Sequence, residues 1–185
     1  MNTTPIKLRA DAQRNYELLV QVTKDAIAAT GSIPALDFIA RKAGVGIGTL
    51  YRHFPTRSSL LMVLYSDQIT GLVTEATGLL GKRDMSPDQA VLIWLQKAVH
   101  YGLEDAGFNE AIDISIQDKQ SPLLLAGSAL LSRAQATKLF RADITVFDLL
   151  RFTNSITSDM SSHVSREKAD MLVSMIVAGA RSNPN

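Results

Sequence analysis

Residues 31–57 read GSIPALDFIARKAGVGIGTLYRHFPTR. Leu36, Ile39, Ala40 and Ala43 recur at the spacing of one face of a short helix. Pro34 suits the first helical position, with Ser32 or Ile33 as the cap. Gly44 follows the last apolar residue, where a left-handed stop is wanted. Val45 is then a buried peg in the turn. Gly46–Phe54 reads as a second short helix with Leu50 and Phe54 inward, and with Ile47, Thr49, Tyr51, Arg52 and His53 on its other side. Two short helices joined by a glycine-containing turn of ~3–4 residues form a helix-turn-helix, whose second helix enters the major groove of DNA. A plain helical corner is the competing reading. Such a corner has no need for Gly46, Gly48, Thr49, Tyr51 and His53 gathered at one exposed end. Slim backbone, hydroxyls and an imidazole are groups that meet phosphate oxygens.

The run FIARKAGVGIGTLYRHFPTRSSLL, residues 38–61, resembles the signature of TetR-family transcriptional regulators. The likeness rests on Ile39-Ala40, Ala43-Gly44-Val45, Gly48-Thr49-Leu50-Tyr51, His53-Phe54, Arg57 and Leu60. The motif extends over Leu19–Leu64, and the rest of the chain is similar to the family only in length and helical layout. The resemblance implies a dimer with a DNA-binding head and a helical effector-binding body. It departs from the usual pattern in three places. Gly46 stands where a polar residue opens the recognition helix, Ala35 where a threonine is usual, and Asp37-Phe38 where a basic and an acidic residue are usual.

Composition agrees with a folded, non-membrane chain. Of 185 residues 46% are hydrophobic and 20% charged, enough apolar content to bury a core. There is no cysteine, which excludes disulfides, thiolate catalysis and Cys-ligated zinc. No long apolar run and no signal peptide are visible, so a cytoplasmic location is expected and no membrane partner. Charge is unevenly divided. Residues 1–57 carry Lys7, Arg9, Arg14, Lys24, Arg41, Lys42, Arg52 and Arg57 against Asp11, Glu17, Asp25 and Asp37. Residues 58–185 carry fourteen acidic against eleven basic residues. A basic head suits a polyanion.

Along the chain, residues 1–10 are expected as a loose arm whose Lys7 and Arg9 can reach DNA, although a solvated tail explains them as well. A helix follows over Asp11–Thr30, ended by Gly31. Thr56 caps the next helix, which the apolar spacing carries to about Leu80 as one rod of ~24 residues, or about 36 Å. Ser86-Pro87-Asp88-Gln89 has the spacing of a capping box and opens a helix that is apolar on more than one face, hence central. Further helices are expected over Phe108–Lys119, from Pro122 to about Phe140, from Thr145 to Ser158 and from Ser165 onward. The reading is all-α: a three-helix head at 1–57, a helical bundle at 58–185 for effector binding and dimerisation, and about nine helices.

Chemistry beyond DNA contact has little support. His53, His100 and His163 form no metal motif, and Asp159 with His163 one turn away is more simply a surface pair. No phosphate loop or nucleophile elbow is present. No enzyme activity, cofactor or metal is expected. Expected DNA contacts are Ile47, Gly48, Thr49, Tyr51, Arg52, His53 and Arg57. Trp94, Tyr101, Phe108, Ile112 and Phe140 are candidates for an apolar effector site, although large apolar residues at helical spacing are more simply core. Leu149 of the second-last helix, with Leu172, Met175, Ile176 and Gly179 of the last, is expected to pair two copies.

The function expected is a homodimeric repressor that binds a palindromic operator in double-stranded DNA and leaves it when a small, largely apolar effector binds. The alternatives are an effector-independent DNA binder and a helical small-molecule-binding or scaffold protein without DNA activity.

Overall fold

A computed structural model describes residues 4–30, 32–138, 140–158 and 164–182. Ten α-helices occur among them: α1 Thr4–Thr30, α2 Leu36–Ala43, α3 Ile47–His53, α4 Arg57–Leu64, α5 Ser66–Gly81, α6 Pro87–Glu104, α7 Ala106–Gln117, α8 Pro122–Ala136, α9 Val146–Ser158 and α10 Arg166–Gly179. Among the described residues the sole β pairing is an isolated bridge between Phe140 and Arg181. The chain forms two compact units, Met1–Leu64 and Tyr65–Asn185.

The first unit is α1–α4. Leu19, Ala26 and Ile27 of α1 close on Ile39 and Ala40 of α2, Leu50 of α3, and Leu60 and Leu61 of α4, all buried. α1 starts at Thr4, so the expected loose arm is largely helix. The side chain of Lys7 and the position of Gly31 lie outside the described residues. α2 starts at Leu36 with Ala35 as its N-cap, two residues later than Pro34 suggested, and no side chain caps it. Gly44 is left-handed at φ 65° and ψ 24°, the conformation that a residue without Cβ adopts freely. Val45 is half-buried in the turn, and its N–H reaches the Ala40 carbonyl at 3.0 Å. Thr56 caps α4 as expected: its Oγ1 accepts from Ser59 N–H at 3.0 Å, while Ser59 Oγ accepts from Thr56 N–H at 3.2 Å.

The expected single rod over 56–80 is two helices. Tyr65, at φ −108° and ψ 14°, breaks it. The buried residues Leu61, Tyr65, Ile69, Leu72, Ala76 and Leu79 continue at helical spacing across the break, so the pattern does not mark it.

The second unit is α5–α10. α6 is central, with Ala90, Val91, Trp94, Leu95, Ala98, Val99 and Gly102 buried and every other helix of the unit packed against it. Pro87 occupies its first turn, but Ser86 makes no side-chain cap and the expected capping box does not form. α8 stops at Ala136, short of Phe140. Arg133 of α8 donates to the carbonyls of Leu79 and Leu80 at 2.9 and 3.0 Å, and to those of Lys82 and Met85 at 3.0 and 2.9 Å. A guanidinium thus satisfies the carbonyls that a helix end leaves unpaired, and fixes the α5–α6 connection. Thr145 and Asp148 cap α9 reciprocally, and Ser165 caps α10 through Lys168 N–H.

Candidate functional site

The turn Gly44–Gly46 sets α3 across α2. Leu50 and Phe54 are 0% and 1% exposed, and they fasten the inner side of α3 to the first unit's core. The opposite side is open. Ile47 and Tyr51 are 45% and 49% exposed, one turn apart, and Gly48 and Arg52 form a parallel exposed stripe. Thr49 and His53 flank these stripes and are half-buried, less open than the sequence suggested. For His53 the reason lies in α1. Tyr16 stacks on Phe54 with ring centroids 5.2 Å apart, and His53 meets the Tyr16 edge at 6.0 Å. Tyr16 is a neighbour that sequence spacing could not supply. Arg57 is exposed in the first turn of α4.

Gly46 and Gly48 have no internal justification. Neither has positive φ, and a Cβ on Gly48 would meet nothing within 4 Å. Gly44 differs, since its left-handed backbone requires glycine. On α2, Asp37 pairs with Arg41 at 3.0 Å, and Lys42 sits 6.0 Å from the Phe38 ring, which is 42% exposed. Both pairs are exposed and contribute little to stability.

In the second unit the five expected effector residues do not line one space. Trp94 is 1% exposed and donates its indole N–H to the Leu72 carbonyl at 2.9 Å. A Cβ on Gly127 would come 2.4 Å from its ring, so the indole is wedged into the α6–α8 contact. Phe140 is buried beside the bridge to Arg181. Tyr101 and Phe108 do meet, edge to face, with centroids 5.3 Å apart. Ile112 borders a cavity of about 10 Å³, with Ala98, Val99, Asn109, Leu150, Thr153, Asn154 and Thr157. That is about the room one water needs.

The expected pairing residues also divide. Leu149 is 3% exposed and belongs to the unit's own core, because the apolar stripe of α9 faces inward through Val146, Leu149, Leu150 and Thr153. Phe152, three residues on, is 63% exposed in its place. On α10, Met171 and Met175 are 43% and 61% exposed, Gly179 is exposed, and Leu172 and Ile176 are half-buried. Asp159 and His163 lie outside the described residues, and among those described no group of three or more His, Cys, Asp or Glu gathers at metal-binding distance. No helix among the described residues is long and apolar enough to cross a membrane.

Comparison with known proteins agrees with this geometry. Residues 35–63 match the family described as bacterial regulatory proteins, tetR family, and residues 86–182 match the family described as transcriptional regulator SbtR-like, C-terminal domain. Over 83 residues the chain is 28% identical to the HTH-type transcriptional regulator SAR0097 of Staphylococcus aureus, covering 44% of each protein. The whole chain is similar in fold to the TetR regulator SCO0520 of Streptomyces coelicolor, with 26% identity, a TM-score of 0.51, and 91% of this chain and 99% of that one covered. It shares a fold with RolR, solved with resorcinol, at 20% identity and a TM-score of 0.62, over 93% of this chain and 90% of that one. With both units matched in chain order, the protein belongs to the TetR family of transcriptional regulators.

Proposed function

We propose that this protein is a cytoplasmic, homodimeric DNA-binding repressor that leaves a palindromic operator when a small, mainly apolar effector binds its second unit. One observation carries the DNA reading: the α3 surface, where Ile47, Gly48, Tyr51 and Arg52 stand open on a helix whose other side is locked into the core. Tyr51, Thr49, His53 and Arg57 hold phosphates in this reading, and Ile47 and Arg52 meet base edges. Gly48 lets the DNA come close. The exposed apolar group Phe152, Met171 and Met175 supports an isologous contact between two copies. Two heads then meet half-sites about 34–36 Å apart or a multiple of it. Tyr101 and Phe108 are the aromatic part of the effector reading.

The test is selection of bound duplexes from a random pool, followed by mobility shift. Enrichment of an inverted repeat is expected. A pool that stays random at low and moderate salt would favour a helical protein without DNA specificity.

A further inference from the structure

His53 closes α3 beside the open stripe of Gly48 and Arg52, and it is half-buried. Two rings pack on it. Tyr16 of α1 meets the imidazole with centroids 6.0 Å apart and planes at 64°. Phe54 meets it at 6.3 Å and 46°. The same two rings lie on each other at 5.2 Å and 28°. Three aromatic rings therefore stand within contact range of one another at the end of α3.

Phe54 is the fixed point of the group. It is 1% exposed, and its N–H donates to the Leu50 carbonyl at 2.8 Å. Tyr16 is held from the other side, because Leu19, one turn on along α1, is fully buried in the first unit's core. Tyr16 itself is half-buried, so its ring forms a wall between that core and the surface where His53 sits. An aromatic contact sets the plane of an imidazole and needs neither of its ring nitrogens. A phosphate contact requires one setting of that ring. A side chain already held in its bound rotamer loses less entropy when DNA arrives, which is worth about two- to tenfold in affinity.

We propose that Tyr16 is a positioning residue for DNA binding: its ring, from outside the helix-turn-helix, sets the His53 imidazole for a phosphate oxygen. This rests on the reading of α3 as the DNA-contacting helix, and it extends the machinery of that surface to α1. The ring does the work, and the phenol hydroxyl is not required.

The experiment uses the full chain, with the duplex enriched by selection and a scrambled duplex of the same length as probes. Mobility shift is run on wild type, Tyr16→Leu, Tyr16→Met, Tyr16→Phe, His53→Ala and the double variant Tyr16→Leu/His53→Ala. Methionine is included beside leucine because its flexible side chain fills an irregular gap, so one poorly folded variant does not decide the outcome. Tyr16→Leu and Tyr16→Met should lose about two- to tenfold on both duplexes alike, since a phosphate contact is blind to sequence. Tyr16→Phe should bind as wild type does. The double variant should bind no more weakly than His53→Ala alone. Ring-proton NMR of His53, assigned by the signals that vanish in His53→Ala, reads the contact without DNA. Tyr16→Leu removes the neighbouring ring current and should shift those signals, whereas Tyr16→Phe should leave them near their wild-type positions.

A Tyr16→Leu loss that is as large in the His53→Ala background shows that Tyr16 supports the head as a whole, and it overturns the assignment. Tyr16→Phe binding as weakly as Tyr16→Leu, or His53 signals that ignore Tyr16→Leu, overturns it too. Undiminished affinity in Tyr16→Leu and Tyr16→Met defeats the positioning role and leaves the regulator standing. A wild type that binds neither duplex, with His53 signals that do answer to Tyr16→Leu, keeps the ring contact but defeats the regulator and the positioning role with it.

Discussion

Asn109 and Thr157 exchange two hydrogen bonds across α7 and α9: Thr157 Oγ1 donates to Asn109 Oδ1 at 2.9 Å, and Asn109 Nδ2 donates to the Thr157 carbonyl at 3.1 Å. Asn154 extends the pair through Nδ2, which donates to the Asn109 carbonyl at 3.0 Å and to Asp113 Oδ1 at 2.9 Å. The pair comes so close to α6 that a Cβ on Gly102 would lie 2.5 Å from both Asn109 Oδ1 and Thr157 Oγ1. Three helices are therefore registered by one buried polar contact. Thr157→Val keeps the shape and removes the donor, and it should cost about 1–3 kcal/mol in urea unfolding. The double variant Asn109→Leu/Thr157→Val should cost less than the two single changes added together, since the second removes the group the first left unpaired. Additive costs would show that the pair is not coupled.

Gly48→Ala separates folding from DNA contact. Alanine meets nothing there and favours a helix by roughly 0.5–1 kcal/mol. The variant should therefore melt at or above the wild-type temperature while its operator affinity falls. Unchanged affinity would mean that DNA does not approach α3 at this residue.

Tyr51→Phe and Arg52→Ala should differ in kind. Loss of a phosphate contact from Tyr51 weakens all duplexes alike. Loss of a base contact from Arg52 relaxes preference at one position by about 1–3 kcal/mol. Repeating the duplex selection with each variant decides it, and an Arg52→Ala protein with the wild-type motif retires that assignment.

The apolar residues of α9 and α10 answer two different assays. Met175→Glu and Phe152→Glu place a charge on exposed positions, 61% and 63% open, and should leave the fold intact. Sedimentation at micromolar concentration should then show dimers for the wild type and monomers for both variants, with operator binding lost. Leu149→Ala empties a core position and should cost about 2–5 kcal/mol of stability instead. A monomeric wild type defeats the dimer.

Asp88 gives the second unit a dependence on acid. The Ser86 hydroxyl, the backbone N–H groups of the first α6 turn and Arg181 together hold its carboxyl below the usual aspartate range, against partial burial. A depressed carboxyl stabilises the fold at pH values above its unfolded pKa, and that contribution disappears as pH falls through the lower folded value. Thermal melts should decline more steeply below the ordinary aspartate range in wild type than in Asp88→Asn. Parallel acid limbs in the two proteins would show that the Ser86, backbone and Arg181 contacts do not hold the Asp88 carboxyl down in solution.

The helix-turn-helix was legible in the sequence because its determinants are local. Leu36, Ile39 and Ala43 repeat at helical spacing, Gly44 adopts a backbone that other residues resist, and Leu50 and Phe54 fall on one side of a helix two turns long. Thr56, Thr145 and Ser165 likewise act on backbone three residues away. What sequence could not settle depends on partners distant in the chain. Leu149 and Phe152 are both large and apolar on one short helix, and only the packing of α9 against its neighbours in the unit sends the first inward and leaves the second open. Trp94 looked like pocket lining until Leu72 accepted its N–H and Gly127 took its ring. The break at Tyr65 interrupts an apolar repeat that runs on undisturbed, so spacing could not mark it. Tyr65 Oη lies where a Cβ on Gly107 would come within 2.2 Å, and only tertiary structure brings residues so distant in the chain together.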